Sequence, residues 1–70
     1  MQEERVLFGK KVKQLRKFKE FTQAQLAEKT DLSVNYISQI ETGLASPTFK
    51  TLFRLAKALD VEIKDLFDYK

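Results

Sequence analysis

Ser33, Val34, Asn35, Tyr36, Ser38 and Gln39 form a short run rich in hydroxyls and amides, with no charge among them. The chemistry open to such a set is recognition by hydrogen bonding: an amide donates and accepts at once, a hydroxyl does either, and the Val34 methyls add an apolar contact. Nothing comparable supports catalysis. His and Cys are absent, so the usual zinc and haem ligand sets, His-based acid–base pairs and Cys nucleophiles cannot be built. Asp65 and Asp68 lie three apart and can share a helix face, but two carboxylates on a terminal turn read as a solvated helix end. The expectation is no enzyme, no metal and no cofactor.

Such a run needs an element that holds it rigid and turns it outward. Ser33 can cap a helix from Val34 to about Thr42, with Ile37 and Ile40 inward and Gly43 as the stop signal. At about 100° per residue this places Asn35 and Thr42 nearly opposite the inward face, with Ser38 and Gln39 roughly 130° away on either side. Val34 and Tyr36 fall on the flanks, and Glu41 turns sideways. A plain solvated helix would carry Lys and Glu where these neutral groups stand. Upstream, Thr22 and Gln25 complete a capping-box pattern for a helix ending near Lys29. Asp31-Leu32 leaves room only for a sharp corner, and Ala27 is small enough to let the two helices cross.

The remaining elements read by the same rules. Phe8, Val12, Leu15 and Phe18 recur at helical spacing and predict an amphipathic helix over 3–19. Ser46 or Thr48 starts a fourth helix, whose Phe49, Leu52, Phe53, Leu55, Ala56 and Leu59 are expected to supply much of the core. A short fifth helix spans roughly 63–67. No stretch alternates with period two. The fold class is therefore all-α: a compact five-helix bundle, one domain over 1–70, with a central helix-turn-helix at about 22–42.

Seventy residues, 43% of them apolar, give a small core that buries only ~60% of the unfolded chain's surface. The longest uncharged run, 32–40, is nine residues long where a bilayer span needs roughly 20. The start MQEER carries acid where a signal peptide carries base. A small cytoplasmic binding module, with no membrane partner, is expected. The 13 Lys and Arg against 10 Asp and Glu give +3 overall, but the charge is uneven. Seven basic residues and no acid lie between Arg5 and Lys19, whereas from Asp60 onward four acids outnumber two bases. A basic segment is either the footprint of a polyanion-binding surface or a solvated helix face. Lys10, Lys13 and Lys17 read as such a face with a long-range steering role.

The pattern Gln23-x-x-Leu26-Ala27, then Ile37-Ser38-x-x-Glu41-x-Gly43, then Pro47 with Leu52, Leu55-Ala56 and Leu59, resembles the Cro and phage-repressor type helix-turn-helix regulators, the XRE family. The resemblance covers residues 7–67. It implies a lambda-repressor-like domain that binds double-stranded DNA with helix 33–42 in the major groove. It also implies a homodimer on a palindromic operator, regulating transcription at the nucleoid. In its size and its Tyr36-Ile37-Ser38 segment the chain also resembles the controller proteins of restriction–modification systems.

On that reading Asn35 and Gln39 can each bond an adenine edge bidentately, Val34 can pack on a thymine methyl, and Ser33, Ser38 and Tyr36 offer hydroxyls to bases or phosphates. Tyr36 can equally pack on a neighbouring helix, and Val34 can be a surface apolar residue. The resemblance implies a phosphate contact at Gln23 and an ion pair between Arg16 and Glu41. Thr42, Thr48 and Lys50, around the start of the fourth helix, are further phosphate contacts, with Thr48 open also to a plain N-cap role. Ile63, Leu66, Phe67 and Tyr69, helped by the fourth helix, form the expected dimer interface, although Ile63 and Leu66 can equally complete the monomer core. A protein–protein module of antitoxin type on the same fold is the alternative. The chain departs from the family where Gly is common, with Glu20, Asp31 and Asp60 instead. Asp tolerates the left-handed region such helix ends use, but Glu20 is less natural there and leaves open that helix 1 runs on or closes differently.

Overall fold

The computed structural model describes residues 2–69 and folds them into α1 (Gln2–Phe18), α2 (Gln23–Thr30), α3 (Val34–Glu41), α4 (Phe49–Leu59) and α5 (Ile63–Leu66). No strand occurs among the described residues, so the all-α five-helix class holds. The start signals act as read. The Thr22 hydroxyl accepts from the Gln25 N–H at 3.0 Å while the Thr22 N–H donates to Gln25 Oε1 at 2.8 Å, closing the capping box of α2. Ser33 Oγ accepts from the Tyr36 N–H at 3.0 Å. Thr48, not Ser46, caps α4.

The helix ends resolve the three departures from glycine. Glu20, Asp31 and Asp60 all adopt the left-handed conformation, with φ of 61°, 58° and 58°. After α1 the Phe21 N–H reaches back to the Arg16 carbonyl at 3.0 Å and the Glu20 N–H to Lys17 at 2.9 Å, so the helix closes normally. The αL strain at a residue with a Cβ costs about 1 kcal/mol, and tertiary packing outweighs it here.

The core joins all five helices. Val12, Leu26, Ile37, Ile40, Leu55 and Leu66 are fully buried, with Phe8, Ala27, Leu52, Ala56 and Leu59 beside them. α3 lies between α1 and α2, and α4 backs onto α2 and α5. Ala27 is buried against this packing, and its carbonyl accepts from the Leu32 N–H at 3.0 Å, fixing the corner of the helix-turn-helix. Arg54 Nη1 adds bonds to the carbonyls of Thr30 and Asp31, at 3.3 and 3.4 Å, which tie α4 to that corner.

Two expected core residues, Phe49 and Phe53, are corrected, and Phe18 of the apolar stripe on α1 is open as well. Phe18 and Phe49 are each 82% exposed and Phe53 is 64% exposed. Apolar identity places a residue on the wide stripe of an amphipathic helix, but the covering neighbours extend over only part of it. On α4 they reach Leu52, Leu55 and Leu59 and leave Phe49 and Phe53 on the open flank. Leu66 is corrected in the opposite sense. Expected at a dimer interface or, equally, in the monomer core, it takes the second place and is fully buried, because α5 folds back onto α4 and α1. Ile63 is half-buried and packs against the same core.

Two glycines are required by contact. Gly9 of α1 meets the end of α3 so closely that a Cβ there would stand 2.7 Å from the Glu41 carbonyl oxygen and overlap that of Ile40. Gly43, at φ +82°, turns the chain out of α3, and a Cβ on it would stand 2.8 Å from Val6 Cγ2.

Candidate nucleic-acid interface

α3 is held by its buried side and presents the other. Ile37 and Ile40 anchor it with no exposure. Ser33, Val34, Asn35 and Thr42 are exposed, and Ser38 and Gln39 are half-buried. The set spread along the sequence as Ser33, Val34, Asn35, Ser38 and Gln39 is thus brought to one open side of a rigid helix. Tyr36 stands apart. It is half-buried, and its hydroxyl lies 3.4 Å from Thr51 Oγ1 and 3.5 Å from the Ser46 carbonyl, so it braces α3 against α4 and the loop before it.

The hydroxyls are not all free to donate. Thr42 donates back to the carbonyls of Ser38, at 3.0 Å, and Gln39, at 3.3 Å. Thr48 accepts from the Thr51 N–H at 3.2 Å and donates to Thr51 Oγ1 at 3.1 Å. Both engage their own helices, and Thr48 also takes up the Thr51 N–H, so the anion-binding capacity at the start of α4 rests on the backbone N–H groups of Phe49 and Lys50 and on the exposed Lys50 side chain.

Arg16 and Glu41 are brought together in the interior. Arg16 Nε lies 2.6 Å from Glu41 Oε2 and its Nη2 lies 3.0 Å from Oε1, a bidentate pair with side chains only 9% and 2% exposed. Arg16 Nη1 also donates to the Phe21 carbonyl at 2.8 Å. Gln23 Nε2 donates to the same Glu41 Oε1 at 3.0 Å. One carboxylate therefore ties α1 to the last turn of α3 and orients the amide in the first turn of α2. Sequence reasoning missed the third member of this set. The signal available was the pairing of an amide at the start of one motif helix with an acid at the end of the other.

Basic residues are exposed on two other helices. Lys10, Lys13 and Lys17 are exposed on α1, and Lys50 and Lys57 on α4. Among the described residues no cluster of three or more His, Cys, Asp or Glu is placed to hold a metal ion, and no helix is long and apolar enough to cross a membrane.

Two helices meeting at a sharp corner, with an outward-facing neutral second helix, match the helix-turn-helix family HTH_3 over residues 12–66. The chain belongs to this helix-turn-helix family. It is 42% identical over 66 residues to the control protein C.BamHI of Bacillus amyloliquefaciens, covering 93% of this chain and 82% of that protein. It is 35% identical over 65 residues to the regulator SinR of Bacillus subtilis, covering 91% of this chain but 59% of SinR. The crystal structure of the restriction–modification controller protein C.AhdI from Aeromonas hydrophila superposes with a TM-score of 0.88 at 33% identity, covering 90% of this chain and 96% of that one. The XRE-type resemblance and the fold inferred from it are thereby confirmed.

Proposed function

We propose that this helix-turn-helix chain binds double-stranded DNA sequence-specifically and regulates transcription. The observation that carries the reading is the exposed side of α3, whose hydrogen-bonding groups bear no charge and are held by a buried backing. A face of this kind suits base edges, whose donors and acceptors in the major groove match amides and hydroxyls. Asn35 and Gln39 read adenine edges, Val34 packs on a thymine methyl, and Ser33 and Ser38 supply further hydrogen bonds. Gln23, oriented by Glu41, and the first turn of α4 with Lys50 grip the phosphates on either side. The basic residues of α1 steer the domain to the polyanion.

A homodimer on a palindromic operator follows from the limited discrimination of a single unit, since two units read half-sites about one turn, ~34 Å, apart. Phe49 and Phe53 supply the dimer surface, with Phe67 as a further exposed apolar group. Leu66 lies in the core, and Phe67 and Tyr69 both line a cleft near the start of α1. The likeness to controller proteins in sequence and fold makes control of a restriction–modification system the specific role we favour, exercised on the nucleoid in the cytoplasm.

Selection of bound oligonucleotides from a random pool at physiological salt tests the proposal. A two-fold symmetric consensus is expected, with log K falling by about 0.9 per log salt for each neutralised phosphate. Recovery of no consensus, with binding indifferent to sequence, would instead support the protein–protein module.

A further inference from the structure

The start of α1 and the segment after α5 meet in a cleft. It has a volume of about 320 Å³ and is lined by Glu4, Arg5, Phe8, Pro47, Phe67 and Tyr69. The Phe8 and Phe67 rings pack with centroids 5.2 Å apart and planes tilted by 35°, forming an aromatic floor. Arg5 Nε is shielded from solvent and has no hydrogen-bond partner; it is the single such buried side-chain nitrogen or oxygen among the described residues. Burial first, and then the neighbouring Glu4 carboxylate, push the Tyr69 phenol up from its ordinary value, so it remains a protonated hydroxyl at neutral pH.

We infer that this cleft is a small-molecule site, and that its ligand is a monocarboxylate with a flat apolar body. A guanidinium presents donors in a rigid fork that matches a carboxylate, and Arg5 lines the cleft. With Nε enclosed, a carboxylate in the cleft pairs with the outer N–H groups of Arg5, while Phe8, Phe67 and Pro47 take a ring. The volume lies at the lower end of ligand pockets, which fits one ring and a short acid arm. Glu4 in the same wall opposes a second negative charge, which sets a phosphate or dicarboxylate at a disadvantage. The site uses no group assigned to DNA contact, but it shares Phe67 with the proposed dimer surface.

Nuclear magnetic resonance titration of the full chain with benzoate, and with benzamide as its uncharged isostere, tests the assignment without DNA. Benzoate is expected to bind in the millimolar range or tighter and to shift Arg5, Phe8, Phe67 and Tyr69. Benzamide is expected to bind at least about tenfold more weakly. Arg5→Gln is expected to weaken benzoate by a similar factor with an unchanged melting curve, and Arg5→Lys to restore part of the loss. The assignment is overturned if benzoate shifts none of these residues at ~20 mM, if benzamide shifts them equally, or if Arg5→Gln binds benzoate as the parent does. Should Arg5→Gln fail to fold, the benzoate and benzamide comparison on the parent chain decides alone.

Discussion

Replacing Glu41 by Gln conserves shape and removes one charge from the buried junction of α1, α2 and α3. In the parent, Glu41 Oε2 accepts from Arg16 Nε and its Oε1 accepts from both Arg16 Nη2 and Gln23 Nε2. A glutamine offers one acceptor and one donor to these three donors. Its NH2 group must face either the guanidinium or the Gln23 amide, and Arg16 keeps the Phe21 carbonyl as an acceptor. Breaking one side of a buried pair costs about 3–5 kcal/mol, against a total of about 4–10 kcal/mol for a domain of this length. Glu41→Gln is thus expected to remove at least about 30% of the stability. In a thermal melt followed by circular dichroism the midpoint should fall by about 12–24 °C for a 3 kcal/mol loss. Arg16→Met should cost a similar amount, because it strands the carboxylate. The double variant should cost at least about 2 kcal/mol less than the sum of the two single changes, since neither charge is then left without its partner. Additive single effects each below about 1 kcal/mol would match an exposed pair and would refute the junction as described.

Three further outcomes follow from the packing. Gly9→Ala drives a Cβ into the carbonyls of Ile40 and Glu41, and should cost about 1–3 kcal/mol in urea unfolding although alanine is the better helix former; a neutral or stabilising result would contradict the close approach of α1 to α3. Glu20→Gly relieves a left-handed residue and should raise stability by about 0.5 kcal/mol after the added unfolded-state entropy is subtracted; a lower melting midpoint would show that the turn is not strained. Phe53→Glu on the open flank of α4 should change monomer stability by less than about 0.5 kcal/mol while shifting sedimentation equilibrium toward monomer, and an unchanged mass distribution would remove Phe53 from the dimer surface.

The helix-turn-helix was legible because its signals are local. A capping box at Thr22, a serine cap at Ser33, a small residue at Ala27 and an apolar pair at Ile37 and Ile40 each depend on neighbours a few residues away, and each formed. What the sequence concealed depends on which surfaces meet. Phe49, Phe53 and Phe18 carry the same apolar signal as Leu52 or Leu55, but only packing decides which flank of a helix is covered. Leu66 could not be assigned to core or interface until the path of α5 was known. Gly9 sits in a helix where alanine would be the better former, and its reason, the backbone of α3, lies more than thirty residues away. Within the site, the outward set on α3 was readable from angular spacing, whereas the engagement of Thr42, Thr48 and Tyr36 with their own fold appears only once hydrogen-bond partners are in place. The bonds that Gln23 and Arg54 make across helices were hidden for the same reason.

The central claim is that α3 reads bases while its surroundings hold phosphates. The most direct measurement compares the parent, Asn35→Ala and Gln39→Ala on the selected operator and on random duplex by fluorescence anisotropy at fixed salt. Each change should cost roughly 1–3 kcal/mol on the operator and leave random-sequence binding and its salt slope unchanged. Equal losses on both duplexes, or no loss on either, would contradict the assignment of α3 as the reading helix.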